Sequence, residues 1–146
     1  MVIPNKVTRK EYRTVVPNTV IELSQDIEYP EGRPYLISFS NYSEKNCEIS
    51  LLSSNKARKA IETLKTIGTK IRCVSDFANE NIDRIPVRRE GEYLKLYNGL
   101  SDEIDLKEIK LQQDARIFYF DIEPAKTLYV VAITENHLEV GKVRRR

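Results

Sequence analysis

The residues able to take part in chemistry are few and lie mainly in the last third of the chain. Glu108 and Lys110 are two positions apart, Arg116 follows a short polar link, and His137 lies close to the C-terminal end. Alternate residues of a strand point to the same face, so Glu108 and Lys110 would lie side by side. A guanidinium binds phosphate through a rigid set of donors, and an imidazole exchanges protons near neutral pH. These residue types suit phosphate binding and proton transfer.

Each of these residues also has an ordinary structural interpretation. Arg116 could be a surface strand arginine opposite Glu108 or Asp121. Glu108 and Lys110 could form a solvated cross-strand pair, and a histidine beside a strand end is often a bystander. The sequence leaves these alternatives open.

The counts of other residue types exclude several kinds of site. His137 is the only histidine, which excludes a multi-histidine metal centre and a catalytic histidine pair. Cys47 and Cys73 lack the close spacing and histidine neighbours that zinc requires, and we interpret both as buried thiols. We therefore expect no metal site and no cofactor.

Basic residues form two local patches, although the net charge is only +2. One patch lies between residues 53 and 72 and includes Lys56 and Lys59, and the other is the C-terminal run that includes Arg144 and Arg145. Both patches are candidates for RNA binding. The alternative is a solvated helix face, on which these lysines stay at the surface, and a solubilising tail.

The pattern of apolar residues predicts an α+β fold in which two helices pack on a mainly antiparallel sheet. Residues 1–45 form a β-rich extension, and a strand at 35–41 would pair with one at 48–52 in a hairpin. A first helix starts at Ser53 or Ser54 and ends at Gly68, and a second follows over residues 71–82. Strands are predicted over 106–111, 116–122 and 127–134, the last buried on both sides.

The length and composition fit one globular protein of 146 residues with 40% hydrophobic and 32% charged residues. No apolar run approaches the ~20 residues that a membrane-crossing helix needs, and the first residues lack the apolar stretch of a signal peptide. We expect a cytoplasmic protein with no membrane partner.

The order of elements and the amino-acid sequence of the C-terminal third resemble those of the RelE/ParE-like toxin superfamily. The matching stretches are Glu108-Ile109-Lys110, Arg116-Ile117-Phe118-Tyr119 and residues 130–137. The resemblance covers roughly residues 46–140, so that residues 46–146 would form a RelE-like domain.

The resemblance implies a toxin that cuts messenger RNA without a metal ion, commonly on the ribosome, and is silenced by a cognate antitoxin. In that chemistry the ribose 2′-hydroxyl attacks the adjacent phosphate and the 5′-oxygen leaves with a proton. The resemblance assigns Arg116 to the phosphate and His137 to proton exchange. One of Glu108 and Lys110 would act as the base and the other as a phosphate ligand.

Two other functions stay open. The first is a non-catalytic binding module of the same fold, because fold does not determine function. Clustering of Arg116, Lys110, Glu108 and His137 in one concavity would favour the nuclease, and scattering would favour the binding module. The second is a structural protein that forms a homodimer through an apolar sheet edge.

Overall fold

The computed structural model describes residues 32–136 and 138, which form an α+β fold around one five-stranded mixed sheet. The predicted α+β class is confirmed. Residues 1–31 of the predicted β-rich extension lie outside the described residues. Within the described part, no helix is long and apolar enough to cross a membrane.

The sheet contains five strands in the spatial order β1-β5-β4-β3-β2. Their bounds are β1 (Leu36–Ser38), β2 (Arg84–Pro86), β3 (Lys107–Lys110), β4 (Arg116–Ile122) and β5 (Thr127–Thr134). The pairs β2–β3, β3–β4 and β4–β5 are antiparallel, because short connections join β3, β4 and β5 in sequence. The long connection through the helices allows β1 to pair with β5 in parallel.

The predicted hairpin between 35–41 and 48–52 is wrong. β1 pairs with β5, and residues 49–51 form a 3₁₀ turn instead of a strand. Leu51 in this turn is 73% exposed, so the apolar character of 48–52 does not reflect burial in a sheet. The pairing of β1 depends on a segment about ninety residues away, which local alternation does not reveal.

Helix α1 (Ser54–Lys70) packs its apolar stripe on one face of the sheet. Ser53 is the N-cap and its hydroxyl accepts a hydrogen bond from the Lys56 N–H, as predicted for a helix start. The helix does not end at Gly68. It continues to Lys70, because the Ile71 N–H still bonds to the Ile67 carbonyl.

The second predicted helix is shorter than its apolar pattern suggested. Helix α2 (Ser75–Asn79) is little more than one turn, and Phe77 is its buried residue. After β2, a 3₁₀ helix at Gly91–Tyr97 contributes the buried Leu96.

The two faces of the sheet carry separate hydrophobic clusters. We call the face that packs against α1 and α2 the helical face; its sheet residues include Ile109, Ile117, Tyr119, Val130 and Ile133. The opposite face, the loop face, is covered by the chain between residues 87 and 106 and includes Phe118, Phe120, Ile122, Tyr129 and Val131. All eight residues of β5 are buried, as predicted for a central strand.

A β-bulge in β5 lies beside the middle of β4. The register changes between the pairs Phe118↔Ala132 and Tyr119↔Val130, so Val131 has no direct partner on β4. Val131 and Ala132 consequently both contribute to the loop-face cluster. The bulge determines that Thr134, directly opposite Arg116, belongs to the loop face.

The expectation that both cysteines are buried is wrong. Cys47 is half-buried and Cys73 is exposed. Cys73 lies in the short link between α1 and α2, where the chain turns at the surface and little of it can be covered. Burial raises the pKa of the Cys47 thiol above its ordinary value.

Candidate active site

Arg116 is the first residue of β4 and its side chain is almost fully covered. Its Nη1 donates hydrogen bonds to the Ala115 carbonyl at 3.0 Å and to the Gln113 carbonyl at 3.3 Å. Gln113 has a φ of 56°, and this turn directs its carbonyl back toward the guanidinium. The turn between β3 and β4 therefore holds Arg116 in one orientation.

Glu108 is the ionic partner of Arg116. The register places Lys110 directly opposite Arg116 and Glu108 opposite Phe118, so Glu108 is the diagonal neighbour of Arg116 on the loop face. The Glu108 Oε2 lies 3.6 Å from the Arg116 Nε, and the two side chains are 13% and 11% exposed. The pair is thus nearly withdrawn from solvent.

Two buried donors, one in this ion pair and one beside it, are not hydrogen-bonded within the described residues. They are the Arg116 Nε, whose 3.6 Å separation from Glu108 exceeds hydrogen-bond distance, and the Thr134 hydroxyl. Thr134 is 4% exposed and lies opposite Arg116. Because buried polar groups usually have partners, these two unbonded donors distinguish this end of the loop face from ordinary core.

Lys110 lies at an exposed edge of the sheet. β2 pairs with β3 only as far as Ile109, so the next residue has no strand beside it on that side. Lys110 lines a cleft of about 640 Å³ together with Lys59 of α1. Two of the predicted residues from separate motifs therefore meet at one surface.

Lys56 does not lie on the outer surface as predicted. It is 9% exposed, and its Nζ bonds to the Glu135 carbonyl at 3.0 Å and to the Glu135 Oε2 at 3.2 Å. The prediction failed because Glu135, just after β5, comes within reach only when the helix docks. Lys56 therefore links α1 to the end of β5, and its charge is paired with that of Glu135.

Glu135 also contacts the first residues before α1. Its Oε1 accepts a hydrogen bond from the Ser53 N–H at 3.0 Å. This backbone donor, followed by Lys56, holds the pKa of the Glu135 carboxyl below its ordinary value. The N-terminus of α1 is thus attached to the end of β5.

Tyr42 links residue 47 to the last part of β5. Its hydroxyl donates to the Cys47 carbonyl at 3.0 Å and accepts from the Ile133 N–H at 3.1 Å. Burial raises the pKa of Tyr42 to about 12, so the hydroxyl stays neutral near physiological pH. Tyr42 serves as a structural donor and acceptor.

The described candidates gather at one end of the sheet, which we call the Thr134 end. It contains the end of β3, the start of β4, the end of β5 and the N-terminal half of α1. Glu108 and Arg116 lie there on the loop face, Lys56 and Lys59 of α1 lie on the helical face, and Lys110 lies at the exposed end of β3 between them. His137, Arg144 and Arg145 lie outside the described residues.

Thr134 is the site residue that the sequence analysis did not identify. It ends an apolar run, and a threonine in such a run has no chemical signal of its own. The register of the β4–β5 hairpin places Thr134 opposite Arg116 only when the bulge is taken into account.

The opposite end of the sheet has its own polar contacts, on the helical face. Lys107 Nζ lies 3.4 Å from Asp121 Oδ1 and bonds to it. The Tyr35 hydroxyl bonds to the Glu123 carboxylate, and Arg84 lies 4.4 Å above the Phe77 ring centroid. These contacts join the strands to one another and to α2.

Comparisons with known proteins leave the family of this chain open. No family model, no curated protein and no solved structure matches it. Within the described residues, no group of three or more histidine, cysteine, aspartate or glutamate residues is arranged to hold a metal ion. The site must therefore be interpreted from its own geometry.

Proposed function

We propose that the chain is a RelE-like toxin of a toxin–antitoxin pair, a metal-independent endoribonuclease that acts on messenger RNA in the cytoplasm. The observation that carries the proposal is the pair of buried, unbonded donors on Arg116 and Thr134, which lies beside Glu108 and Lys110. Phosphate oxygens are suitable acceptors for such donors. A cognate antitoxin and a translating ribosome are the proposed partners.

The proposed reaction is an attack of a ribose 2′-hydroxyl on the adjacent phosphate. A bond forms between the 2′-oxygen and phosphorus, and the bond from phosphorus to the 5′-oxygen breaks. Glu108 accepts the 2′-hydroxyl proton, and Arg116 and Thr134 donate to the phosphate oxygens. Lys110 supplies positive charge at the rim. The leaving 5′-oxygen takes a proton from His137, an assignment that rests on the sequence alone.

The products follow from the bonds that change. One fragment ends in a 2′,3′-cyclic phosphate and the other begins with a 5′-hydroxyl. These ends distinguish the proposed reaction from hydrolysis by an activated water molecule, which leaves no cyclic phosphate.

A second candidate function is a non-catalytic module that binds another protein. The observation that favours it is the coverage of Arg116, which is only 9% exposed and already paired with Glu108. A substrate phosphate would have to reach a guanidinium that the protein itself holds. Under this alternative, the ion pair only stabilises the sheet.

Inducible expression in a bacterial host tests the proposal. Wild type, Lys110→Ala and Glu108→Gln are compared for growth and for the ends of translated messages. The matched control is Lys70→Ala, which removes an exposed lysine from the far end of α1. We expect growth arrest and cyclic-phosphate ends with wild type and the control, and a rate of cleavage at least about 100-fold lower for Glu108→Gln.

Two results would contradict the proposal. Intact messages and normal growth with a folded wild-type protein would reject the nuclease and favour the binding module. Cleavage that is unchanged in both site variants would reject the proposed site.

A further inference from the structure

The sheet edge formed by β1 carries an open apolar groove, which we call the edge groove. It lies between β1 and the C-terminal half of α1 and has a volume of about 520 Å³. Its exposed surface is almost wholly apolar, and its lining residues are Ile37, Phe39, Ile61, Leu64, Lys65, Gly68 and Thr69. Ile61 is 68% exposed and Phe39 is 44% exposed, so large apolar side chains face water at its rim. Contiguous apolar surface of this kind indicates that another segment covers it.

β1 also has a free backbone edge beside the groove. It is the last strand on its side of the sheet, and among the described residues its neighbour is β5. The Leu36 N–H donates to the Lys126 carbonyl on the β5 side. Because the backbone groups of successive strand residues point in opposite directions, the N–H and carbonyl of Ile37 face away from β5. This edge can therefore pair with a further strand.

The described chain begins next to one end of this groove. The Gly32 carbonyl accepts a hydrogen bond from the Arg72 Nε at 2.7 Å, and the Tyr35 N–H donates to the Ile71 carbonyl at 3.0 Å. Both contacts lie directly after the end of α1, where Gly68 lines the groove. Residues 1–31 therefore join the described chain beside the edge groove.

One stretch of the preceding chain matches the apolar surface on both sides of this edge. Residues 19–23 belong to the predicted β-rich extension and are rich in residues that favour strands. In a strand, Ile21 and Leu23 would share one face and Val20 would lie on the other. The sheet edge offers the edge groove on the helical face and Leu36, 45% exposed, on the loop face. Residues 24–31 provide a connection longer than a hairpin loop requires.

We propose that residues 19–23 pair antiparallel with the free edge of β1 as a further strand of the sheet and insert Ile21 and Leu23 into the edge groove. The antiparallel direction places Leu23 at the Leu36 end of β1, close to Gly32, where the described chain begins. The added strand covers backbone groups that would otherwise pair with a second copy of the chain. This inference is independent of the proposed RNA cleavage.

Hydrogen exchange of the Ile37 backbone amide in the full chain tests the proposal. We expect this amide to exchange at least about tenfold more slowly in wild type than in Ile21→Asp/Leu23→Asp, because the groove cannot bury two carboxylates. The control, Val2→Asp/Ile3→Asp, adds the same charge outside residues 19–23 and should exchange like wild type. Equal rates in wild type and the first variant would overturn the proposal: equally fast exchange means an open edge, and equally slow exchange means a different occupant.

A second pair of variants tests the groove itself. Ile61→Asp places a charge at the rim, and the control, Leu94→Asp, makes the same change at a 52% exposed position outside the groove. Both proteins should fold, because both wild-type side chains are exposed, and the amide of Val130 in the central strand should exchange as in wild type. Ile61→Asp should lose the protection of the Ile37 amide and Leu94→Asp should keep it. Loss in both variants, or in neither, would contradict the assignment.

Dilution distinguishes the chain's own segment from a second copy. Pairing within one molecule should leave the protection of the Ile37 amide unchanged over about a hundredfold range of protein concentration, because no association is involved. Protection that is lost on dilution, together with dissociation of a dimer in sedimentation, would show that a second copy pairs with β1. That result would overturn the proposal.

Discussion

Two ion pairs join β3 to β4, one on each face of the sheet, and their bonding differs. On the helical face, Lys107 donates a hydrogen bond to Asp121. On the loop face, Arg116 and Glu108 approach to 3.6 Å without a hydrogen bond, and the Arg116 Nε has no other partner among the described residues. The first pair is hydrogen-bonded within the protein, whereas the second leaves a buried donor without a hydrogen bond among the described residues.

On this difference we base a structural role for the helical-face pair and the proposed functional role for the loop-face pair. Both pairs bring a cation and a carboxylate together across the same two strands. The buried Tyr119 hydroxyl, on the residue opposite Lys107, also lacks a hydrogen bond among the described residues, so the Thr134 end differs in that the unbonded donor belongs to the ion pair itself and lies beside an exposed lysine edge. We therefore expect changes at the Thr134 end to affect the proposed RNA cleavage, and changes at Lys107 or Asp121 to affect stability alone.

The largest expected effect is that of Glu108→Ala. This change leaves the Arg116 guanidinium nearly buried and without its counter-ion, which should lower the free energy of unfolding by about 3 kcal/mol. Replacing both residues, as Glu108→Leu/Arg116→Met, should restore much of the stability. Denaturant unfolding measures both effects.

The double variant also separates a catalytic role of the loop-face pair from a structural one. It should fold but fail to cleave RNA, because both proposed reacting groups are gone. A stable double variant that cleaves at the wild-type rate would show that the loop-face pair is structural, like its counterpart.

The next largest effect is expected from Lys107→Met. Asp121 has a side chain only 9% exposed and would lose its hydrogen-bonded cation. The free energy of unfolding should fall by about 2 kcal/mol, and RNA cleavage by the folded fraction should not change. A loss of cleavage per folded molecule would show that Lys107 also takes part in the proposed reaction.

A smaller effect of opposite sign is expected from Thr134→Val. The substitution keeps the shape of the side chain and removes a buried hydroxyl that lacks a partner among the described residues. Stability should rise by about 1 kcal/mol, because the cost of burying the unbonded hydroxyl disappears. RNA cleavage should fall. Lower stability in thermal unfolding would instead show that the hydroxyl is bonded within the protein.

The smallest effect is expected from Glu135→Gln, and it depends on pH. The folded-state pKa of Glu135 is lowered, so its contribution to stability is full above its ordinary value of 4.5 and is lost as the pH falls through the folded-state pKa. Wild type should be more stable than the variant at neutral pH, and the two should converge below 4.5. Unfolding midpoints across this range, with Glu44→Gln as control, provide the measurement. A constant difference at all pH values would contradict the assignment.

Much of the fold from α1 onward followed from local patterns. The apolar stripe of α1, its serine N-cap and the strands β4 and β5 were predicted because helix and strand periodicities are properties of neighbouring residues. The length of α2 and the strand at 48–52 were predicted wrongly. In those segments a short apolar pattern was compatible with more than one structure.

The candidate site was predictable in part. The alternation of β3 placed Glu108 and Lys110 on one face, and the hairpin order made Arg116 their neighbour. Lys56 was misplaced because its partner Glu135 is almost eighty residues away in the sequence. Thr134 was missed because the bulge in β5, which orients it toward Arg116, has no reliable local signal.

The sequence by itself determined the α+β class, the near-neutral charge and the absence of a multi-histidine centre, because these depend on composition and on short-range periodicity. Only the tertiary structure decided which charges are paired, which donors remain unbonded and where a cleft opens. Those properties depend on distances between segments that are remote in the chain. The parallel pairing of β1 with β5 and the end of β2 at Ile109 set these distances.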